Sequence, residues 1–278
     1  MKPCIAICNI FGQDTDRLID FAHLNGFKGI DWSIDQNQSE KEFILKMEKL
    51  RGLEVRFHCP FPGVEFACAD ERADKSMELL THMVERVAMA GGKHMTVHTG
   101  FDHIPDRELN FNRAVENLST LVQRGAECGV SVSLENLTKA WTSVPALFTT
   151  IIQQSGAGVT LDIGHAHVCE PLHTDGNIYE HYILPNQDKI INAHIYHTEL
   201  DGLGHVVPES LEDIYNRLEL LRRAESCKWW VIELQDIKDI LHTRDLLNRY
   251  FESSSNSCVP VKKPSRSCQT KNPESVSI

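Results

Sequence analysis

The sequence lacks the features that would place it in a membrane, in a disulfide scaffold or among nucleotide-binding folds. No run of about 18 apolar residues occurs, so we expect no membrane-spanning helix. The nine cysteines are scattered, odd in number and without a CxxC pair, which favours reduced thiols over a disulfide framework. Neither GxGxxG nor a GxxxxGKS or GxxxxGKT motif occurs, so the glycine-rich turns that hold nucleotide phosphates are missing.

A basic charge balance is also missing. Lys and Arg number 28 against 39 Asp and Glu, and the net charge is −11. Proteins that follow a nucleic-acid backbone need clustered cations, so this composition disfavours a nucleic-acid partner. The first residues lack a charged leader followed by a long apolar stretch and a cleavage site, and we therefore expect a cytoplasmic protein without a membrane partner.

The apolar residues that are present follow two alternating periodicities. Eight short β-branched segments, the first over Lys2–Ile10, alternate with segments of helical spacing such as Asp70–Ala90, which Gly91 and Gly92 end. This alternation predicts parallel βαβ units, and eight of them in about 250 residues indicate an α/β fold of the (β/α)₈ TIM-barrel type. A doubly wound open sheet is the competing architecture, less favoured because it usually carries a glycine-rich turn.

The composition changes at Ser253. The segment 253–278 is rich in Ser, Pro, Lys and Asn and nearly free of large apolar residues. Such a segment cannot bury enough surface to offset the entropy of ordering. We therefore predict one barrel domain over residues 1–252 and a disordered tail over 253–278. The full sequence is 41% hydrophobic, which is sufficient for a substantial core.

Chemically active residues recur where the predicted strands end. In a (β/α)₈ barrel the carboxyl ends of the strands meet at one mouth, where catalytic groups sit. From the third strand to the eighth, the residues at or just beyond these ends are His58, His98, Glu135 with Asn136, Asp162 with His165, His194 and Glu233. Carboxylates that follow apolar runs are costly unless they are paired or bound to metal. We therefore predict a divalent-metal site made of Glu135, Asp162, His194 and Glu233.

Other residues near these ends have ordinary structural explanations. A single strand-end histidine such as His58 or His98 is more often hydrogen-bonded than metal-bound. A loop or surface role is the default for His205, and Cys59 and Cys169 are expected to be inert without a basic partner. A substrate pocket lined by aromatic and amide side chains is a further prediction, although core packing explains the aromatic ones nearly as well. The residues predicted to line it are Asn9, Trp32, Asn136 and Tyr196.

The order of short motifs gives a family resemblance. FHCPF, VHTG, SLEN, LDIGHAH, AHIYH and VIEL follow one another over Lys2–Phe251. In this order and spacing they resemble the xylose-isomerase-like TIM-barrel superfamily. That superfamily groups sugar and sugar-phosphate isomerases and epimerases with the endonuclease IV type of apurinic-site nuclease.

The resemblance to the epimerase branch implies one divalent metal on Glu135, Asp162, His194 and Glu233. It also implies that Glu135 and Glu233 exchange a proton at substrate carbon beside a metal-polarised carbonyl, and that His165 contacts substrate oxygens. Mn, Co, Mg, Fe and Zn all suit such a ligand set. That branch often carries an Arg shortly after the seventh-strand histidine, and here residues 194–202 contain none.

The resemblance to the nuclease branch implies three zinc ions instead. His58 and His98 match its additional histidines and His205 its last one, but Leu203 stands where an Asp is expected. The prediction is therefore a metal-dependent sugar or sugar-phosphate isomerase or epimerase with a carbohydrate-like substrate. The alternatives are a multi-zinc metallohydrolase, in which His58, His98 and His205 bind further metal, and a non-catalytic binding barrel. Barrels of this kind often pair, so a homodimer is also expected.

Overall fold

The fold is known from a computed structural model, which describes residues 2–59, 64–99, 104–170 and 178–256. Eight parallel strands close into a barrel in which the first strand pairs with the last. The barrel strands are β1 (Cys4–Cys8), β2 (Gly29–Ser33), β3 (Glu54–His58), β4 (His94–Val97), β5 (Ser131–Glu135), β6 (Gly158–Asp162), β7 (Ile190–Ile195) and β10 (Trp229–Ile232). This confirms the (β/α)₈ TIM barrel and rules out the open sheet.

Nine helices lie among the described residues, and most follow a barrel strand. They are α1 (Thr15–Asn25), α2 (Glu40–Lys49), α3 (Glu71–Met89), α4 (Phe111–Cys128), α5 (Pro145–Ser155), α6 (Ile163–Cys169), α7 (Ile178–Ile183), α8 (Tyr215–Leu221) and α9 (Ile237–Asn256). Local sequence explains many of their ends. Ser39 and Glu42 form a capping box before α2, and Gly26 and Gly129 adopt the left-handed conformation that ends α1 and α4.

Four parts of the structure differ from the prediction. A two-stranded antiparallel hairpin, β8 (Thr198–Leu200) and β9 (Gly204–Val206), and the short helix α6 were not predicted. The helical spacing of apolar residues after Pro208 predicts a helix that opens there, but α8 begins at Tyr215, after a single 3₁₀ turn. Helix α9 continues to Asn256, past the expected boundary at residue 252, and the remainder of the predicted tail, 257–278, lies outside the described residues. None of the described helices combines the length and apolarity that a membrane crossing requires.

Strand β2 shows how the barrel separates its two faces. Ile30 and Trp32 are fully buried in the apolar core that includes Phe43 of α2. Asp31 lies between them and therefore on the opposite face, inside the barrel, where it interacts electrostatically with His194 and His58. The barrel interior is thus polar beneath its mouth, whereas most of the apolar core lies between the strands and the helices.

Candidate metal centre

Four predicted ligands meet at the carboxyl ends of β5, β6, β7 and β10. Glu135, Asp162, His194 and Glu233 each offer one ligand atom, and these atoms lie within 4.8 Å of one another. We call this set the inner cluster. His194 Nδ1 lies 3.1 Å from Glu135 Oε1, 2.7 Å from Glu233 Oε2 and 3.6 Å from Asp162 Oδ2. Three carboxylates therefore converge on one ring nitrogen.

The inner cluster contains more oxygen acceptors than protons to satisfy them. Asp162 Oδ2 and Glu233 Oε2 are both buried without a hydrogen-bond partner among the described residues, even though His194 Nδ1 is close to each. One ring nitrogen donates at most one proton, so it cannot serve three carboxylates. A divalent cation would satisfy the remaining oxygens, and three carboxylates with one imidazole suit Mn, Co, Fe, Mg or Zn. The residues present therefore fit the metal that the sequence predicts.

The ionisation of the inner-cluster residues also suits a divalent metal ion. Burial by itself would raise the pKa of Glu135 and of Glu233, but the neighbouring histidines together outweigh it: His194, His98 and His58 for Glu135, and His194 and His205 for Glu233. The pKa of Glu233 falls to about 2, and that of Glu135 lies well below its usual value. Burial likewise opposes charging of His194, but Glu233 and Glu135 raise its pKa well above the usual range. Both glutamates are therefore ionised at neutral pH.

Asn136 holds the ends of β5 and β6 together. Its side-chain oxygen accepts a hydrogen bond from Asp162 N (2.8 Å), and its amide nitrogen donates to Asp162 O (2.9 Å). Its backbone oxygen accepts from His165 Nδ1 (2.9 Å). Asp162 Oδ1 in turn accepts from His165 N (2.7 Å), which caps the first turn of α6. Asn136 thus positions a ligand and a neighbouring histidine.

His58 and His98 meet on the second oxygen of Glu135. The Nε2 atom of each lies 3.0 Å from Glu135 Oε2, and the two rings lie 4.7 Å apart, centroid to centroid. Both histidines are buried, and with Cys59 they offer a further group of three ligand atoms within 4.8 Å. Glu135 therefore faces four histidines, since His194 and, at 3.6 Å, His165 lie beside Oε1, and His58 and His98 lie beside Oε2.

A third group, which we call the hairpin cluster, consists of His165, Glu199 and His205. His165 Nε2 lies 3.2 Å from Glu199 Oε2, and Glu199 pairs with His205 across the hairpin. His205 Nδ1 donates a hydrogen bond to Glu233 O (2.8 Å). In the neutral ring its Nε2 therefore carries no proton and can bind a metal ion through its lone pair. The sequence prediction missed Glu199. The Asp-Gly turn at residues 201–202, flanked by short strands, is the hairpin signal that would have revealed it.

The hairpin cluster changes the charge of His165. Burial opposes charging of this imidazole, but Asp162, Glu199 and Glu135 together raise its pKa to about 10. The geometry agrees, because Nδ1 faces the Asn136 carbonyl and Nε2 faces a carboxylate, and both are acceptors. Without a cation in the hairpin cluster, His165 and Glu199 therefore form an ion pair.

The three groups of possible metal ligands lie around one cavity of about 760 Å³. Each of their residues except Asp162 and His194 lines it. Its lining residues are Ser33, Ile34, His58, Cys59, His98, Glu135, Leu137, Thr138, His165, Glu199, His205, Glu233 and Gln235. This volume suits a small molecule. The cavity also places the predicted catalytic residues Glu135, Glu233 and His165 around the same space.

The four predicted substrate-pocket residues do not line this cavity. Trp32 packs in the outer core, because strand alternation points it away from the barrel interior. Tyr196 is fully buried behind His205, whose ring stacks on it at 3.9 Å. Asn136 is fully buried in the contacts given above, and Asn9 accepts from Ser33 N (2.9 Å). The structure thus places these four residues away from the described wall of the cavity, and Asn136 and Tyr196 support His165 and His205, which do line it.

Comparison with known proteins identifies the family. The profile of the xylose isomerase-like TIM barrel matches residues 19–239. The chain belongs to this family. An uncharacterized protein of Methanocaldococcus jannaschii is 26% identical over 225 residues, which cover 81% of this chain and 89% of the relative.

Solved structures of epimerases and of an endonuclease have the same fold. A D-tagatose 3-epimerase-like protein is similar with a TM-score of 0.71 and 23% identity, over 92% of this chain and 99% of the other. An L-ribulose 3-epimerase is similar with a TM-score of 0.71 and 17% identity, over 95% and 100%. Endonuclease IV from Thermus thermophilus is similar with a TM-score of 0.68 and 14% identity, over 90% and 100%. At these identities the likeness shows the fold, and the choice between chemistries depends on the site.

Proposed function

We propose that this chain is a divalent-metal-dependent isomerase or epimerase that acts on a carbohydrate-like small molecule. The observation that carries the proposal is the convergence of three carboxylates on His194 Nδ1 beneath a small-molecule cavity. Glu135, Asp162, His194 and Glu233 would hold the ion. When bound, such an ion supplies a Lewis acid that makes a carbon-bound proton next to a carbonyl easier to remove.

Two glutamates of the cavity are available for proton transfer. The Glu233 side chain is 19% exposed and has a histidine nitrogen beside one of its oxygens, Oε2, whereas that of Glu135 is 2% exposed and has histidines beside both oxygens. Glu233 is therefore the group proposed to take the proton from substrate carbon and release it to solvent. Glu135 is proposed to return a proton from its own side, after taking it from the imidazole of His58 or His98 at its Oε2. His165, held on both ring nitrogens by Asn136 and Glu199, is proposed to position Glu199, whose carboxylate can accept hydrogen bonds from substrate hydroxyl groups.

Proton exchange with solvent tests this function directly. The purified chain, loaded with Mn²⁺ or Co²⁺, is incubated with individual ketoses in D₂O, and loss of the carbon-bound proton signal is followed by NMR. We expect exchange with at least one ketose, and we expect Glu233→Gln to slow it by roughly 10²- to 10⁴-fold, the usual contribution of a positioned acid or base. The matched control is Asp201→Asn, a carboxylate on the exposed hairpin turn, which should keep the original rate. Full exchange in the Glu233 variant would disprove the assigned role.

A multi-metal hydrolase is the second candidate, and two specific observations favour it. His58 and His98 share Glu135 Oε2 with nearly equal geometry, an arrangement suited to a carboxylate that bridges two ions. The hairpin cluster offers a further set of ligand atoms. Elemental mass spectrometry of protein purified without added metal separates the candidates. About one ion per chain supports proton transfer, whereas two or three zinc ions per chain would favour hydrolysis, to be assayed on bis(4-nitrophenyl) phosphate.

A further inference from the structure

The contacts of the inner cluster account for only one of the two ring nitrogens of His194. The three carboxylates converge on Nδ1, whereas Nε2 is buried and has no hydrogen-bond partner among the described residues. An imidazole that binds a cation through Nδ1 carries its proton on Nε2. Because His194 is fully buried, bulk water cannot serve this N–H group. A buried donor without an acceptor is destabilising, so the ring needs an acceptor inside the barrel.

Most polar side chains of the barrel interior are already paired with one another. His94 Nε2 lies 3.0 Å from Ser133 Oγ, and Thr96 Oγ1 lies 2.7 Å from Thr160 Oγ1. Asn192 Nδ2 donates to the same Thr96 oxygen (3.4 Å). These contacts join β4 to β5, β6 and β7 across the interior, and they leave few atoms that could accept a hydrogen bond from His194.

Two interior acceptor atoms in the described part of the chain have no partner, Asp31 Oδ1 and Asn192 Oδ1. Asn192 lies two residues before His194 on β7, and its amide is turned toward Thr96 of β4. Asp31 is 1% exposed and lies on another strand. Burial raises the pKa of Asp31, and among its charged neighbours His194 opposes this rise most strongly, followed by His58. Asp31 is therefore the acceptor whose charge best matches the N–H group of His194.

The strand register brings Asp31 and His194 toward the same interior space. Asp31 is the register partner of Cys8 on β1, and His194 is the register partner of Val231 on β10. Register partners on parallel strands point to the same face. Ala6, Cys8 and Val231 form one small apolar cluster between the two residues. Burial raises the pKa of the Cys8 thiol, and the charges of both Asp31 and His194 act on it. Both residues thus lie near one side chain.

We propose that Asp31 accepts a hydrogen bond from His194 Nε2, directly or through one buried water, and so orients this ligand toward the cation. A bridging water is reasonable here because it would have two polar partners. Asp31 does not line the cavity among the described residues, so it is a positioning residue and not a ligand. Such a carboxylate fixes the proton on Nε2 and makes Nδ1 a better ligand. This inference rests on the divalent ion of the proposed function, whichever reaction that ion assists.

The proton on His194 Nε2 gives a direct test by NMR of the ¹⁵N-labelled chain. Asp31→Asn keeps an acceptor oxygen without the charge, whereas Asp31→Leu removes both at similar volume. We expect a slowly exchanging Nε2–H signal in the wild type, an upfield shift of it in Asp31→Asn, and its loss to fast exchange in Asp31→Leu. The charged ring of the metal-free chain also carries this proton, so both the Zn²⁺-loaded and the metal-free forms are measured. An unchanged signal in both variants would overturn the inference.

Calorimetric titration with Mn²⁺ measures the consequence for the cation. The Asp31 variants should bind Mn²⁺ about 10- to 100-fold more weakly, Asp31→Leu more so than Asp31→Asn, as is usual for partners of metal ligands. The matched control is Asp35→Asn, the same change in the loop after β2, where the carboxylate accepts from Asn37 N. It should keep the wild-type affinity and the wild-type His194 signal.

A second control separates Asp31 from the other interior acceptor. Asn192→Ala should keep the Nε2–H signal of His194. Loss of the signal in this variant, with both Asp31 variants unchanged, would assign the contact to Asn192 and overturn the inference. A wild-type chain that binds no Mn²⁺ would count against the proposed function, and the spectrum of the metal-free chain would then decide the role of Asp31.

Discussion

The inner cluster and the hairpin cluster contain the same kinds of ligand but are held in different ways. Each inner-cluster residue lies at or just past the end of a barrel strand, and these strands are hydrogen-bonded to their neighbours on both sides. The hairpin cluster takes Glu199 and His205 from a two-stranded sheet outside the barrel. An isolated hairpin is only marginally stable, so the position of the second cluster depends on tertiary contacts.

Those contacts come from two buried side chains. Arg217 of α8 donates to Ile163 O (3.1 Å), just after Asp162, and contacts His197 Nδ1 (3.0 Å) where the chain enters the hairpin. Tyr196 stacks on His205 and packs against Gly164. Similar ligands are therefore held by the backbone hydrogen bonds between barrel strands in the inner cluster and by side-chain packing in the hairpin cluster. Substitutions should therefore affect the two clusters separately.

The largest expected difference is in metal affinity. Asp162→Asn should weaken Mn²⁺ binding by at least about 100-fold, because even the partners of metal ligands typically contribute 10- to 100-fold. Glu199→Gln, in the hairpin cluster, should leave the affinity for the first Mn²⁺ unchanged. Isothermal titration calorimetry on chelator-treated protein measures both. Equal losses in the two variants would mean that the clusters are not separate sites.

A smaller effect is expected at the residue that positions the inner cluster. Asn136→Ala removes both side-chain hydrogen bonds to the Asp162 backbone and should lower Mn²⁺ affinity by about 10- to 100-fold. The control is Asn25→Ala, whose amide donates to Phe21 O at the end of α1, far from the ligands in sequence. Calorimetric titration should find wild-type affinity in the control. Unchanged affinity in the Asn136 variant would show that the barrel backbone alone orients Asp162.

The support of the hairpin is tested by Gly164→Ala. A Cβ at this position would lie 2.1 Å from the Tyr196 ring, so the ring beneath His205 must move. We expect a loss of about 1–3 kcal/mol in the free energy of unfolding, the usual cost of overpacking. Gly52→Ala is the control, since its nearest neighbour would be His23 Nε2 at 3.8 Å. Urea unfolding of both variants gives the comparison, and equal stabilities would contradict the tight packing.

The smallest expected effect concerns the pH dependence of stability. His165 has a pKa of about 10, above its unfolded value, so its contribution to stability is present below about pH 6.5 and is lost as the pH rises through 10. Glu199→Gln removes one of the charges that raise this pKa. In metal-free protein the variant should therefore lose less stability between pH 6 and pH 10 than the wild type. NMR titration of the His165 ring should show the lower pKa directly, and an unchanged pKa would refute the ion pair.

Residues at the strand ends were predictable because their placement follows from local rules. Alternation along each strand and the common direction of parallel strands bring Glu135, Asp162, His194 and Glu233 to one mouth, and the structure places them together. Trp32 shows where this reasoning failed. An aromatic residue near a strand end suits a substrate pocket and an apolar core equally well. Only the face of the strand on which its side chain lies, inside the barrel or toward the helices, decides between these two roles.

The sequence by itself determined the barrel, the number of its strands and the four inner-cluster residues, because periodicity and strand direction are local properties that repeat along the chain. Only the tertiary structure decided that Glu199 faces His165 and that Asn136 and Tyr196 lie behind the cavity. These features depend on contacts between segments distant in sequence and on the direction each side chain takes when packed. Periodicity carries no information on either.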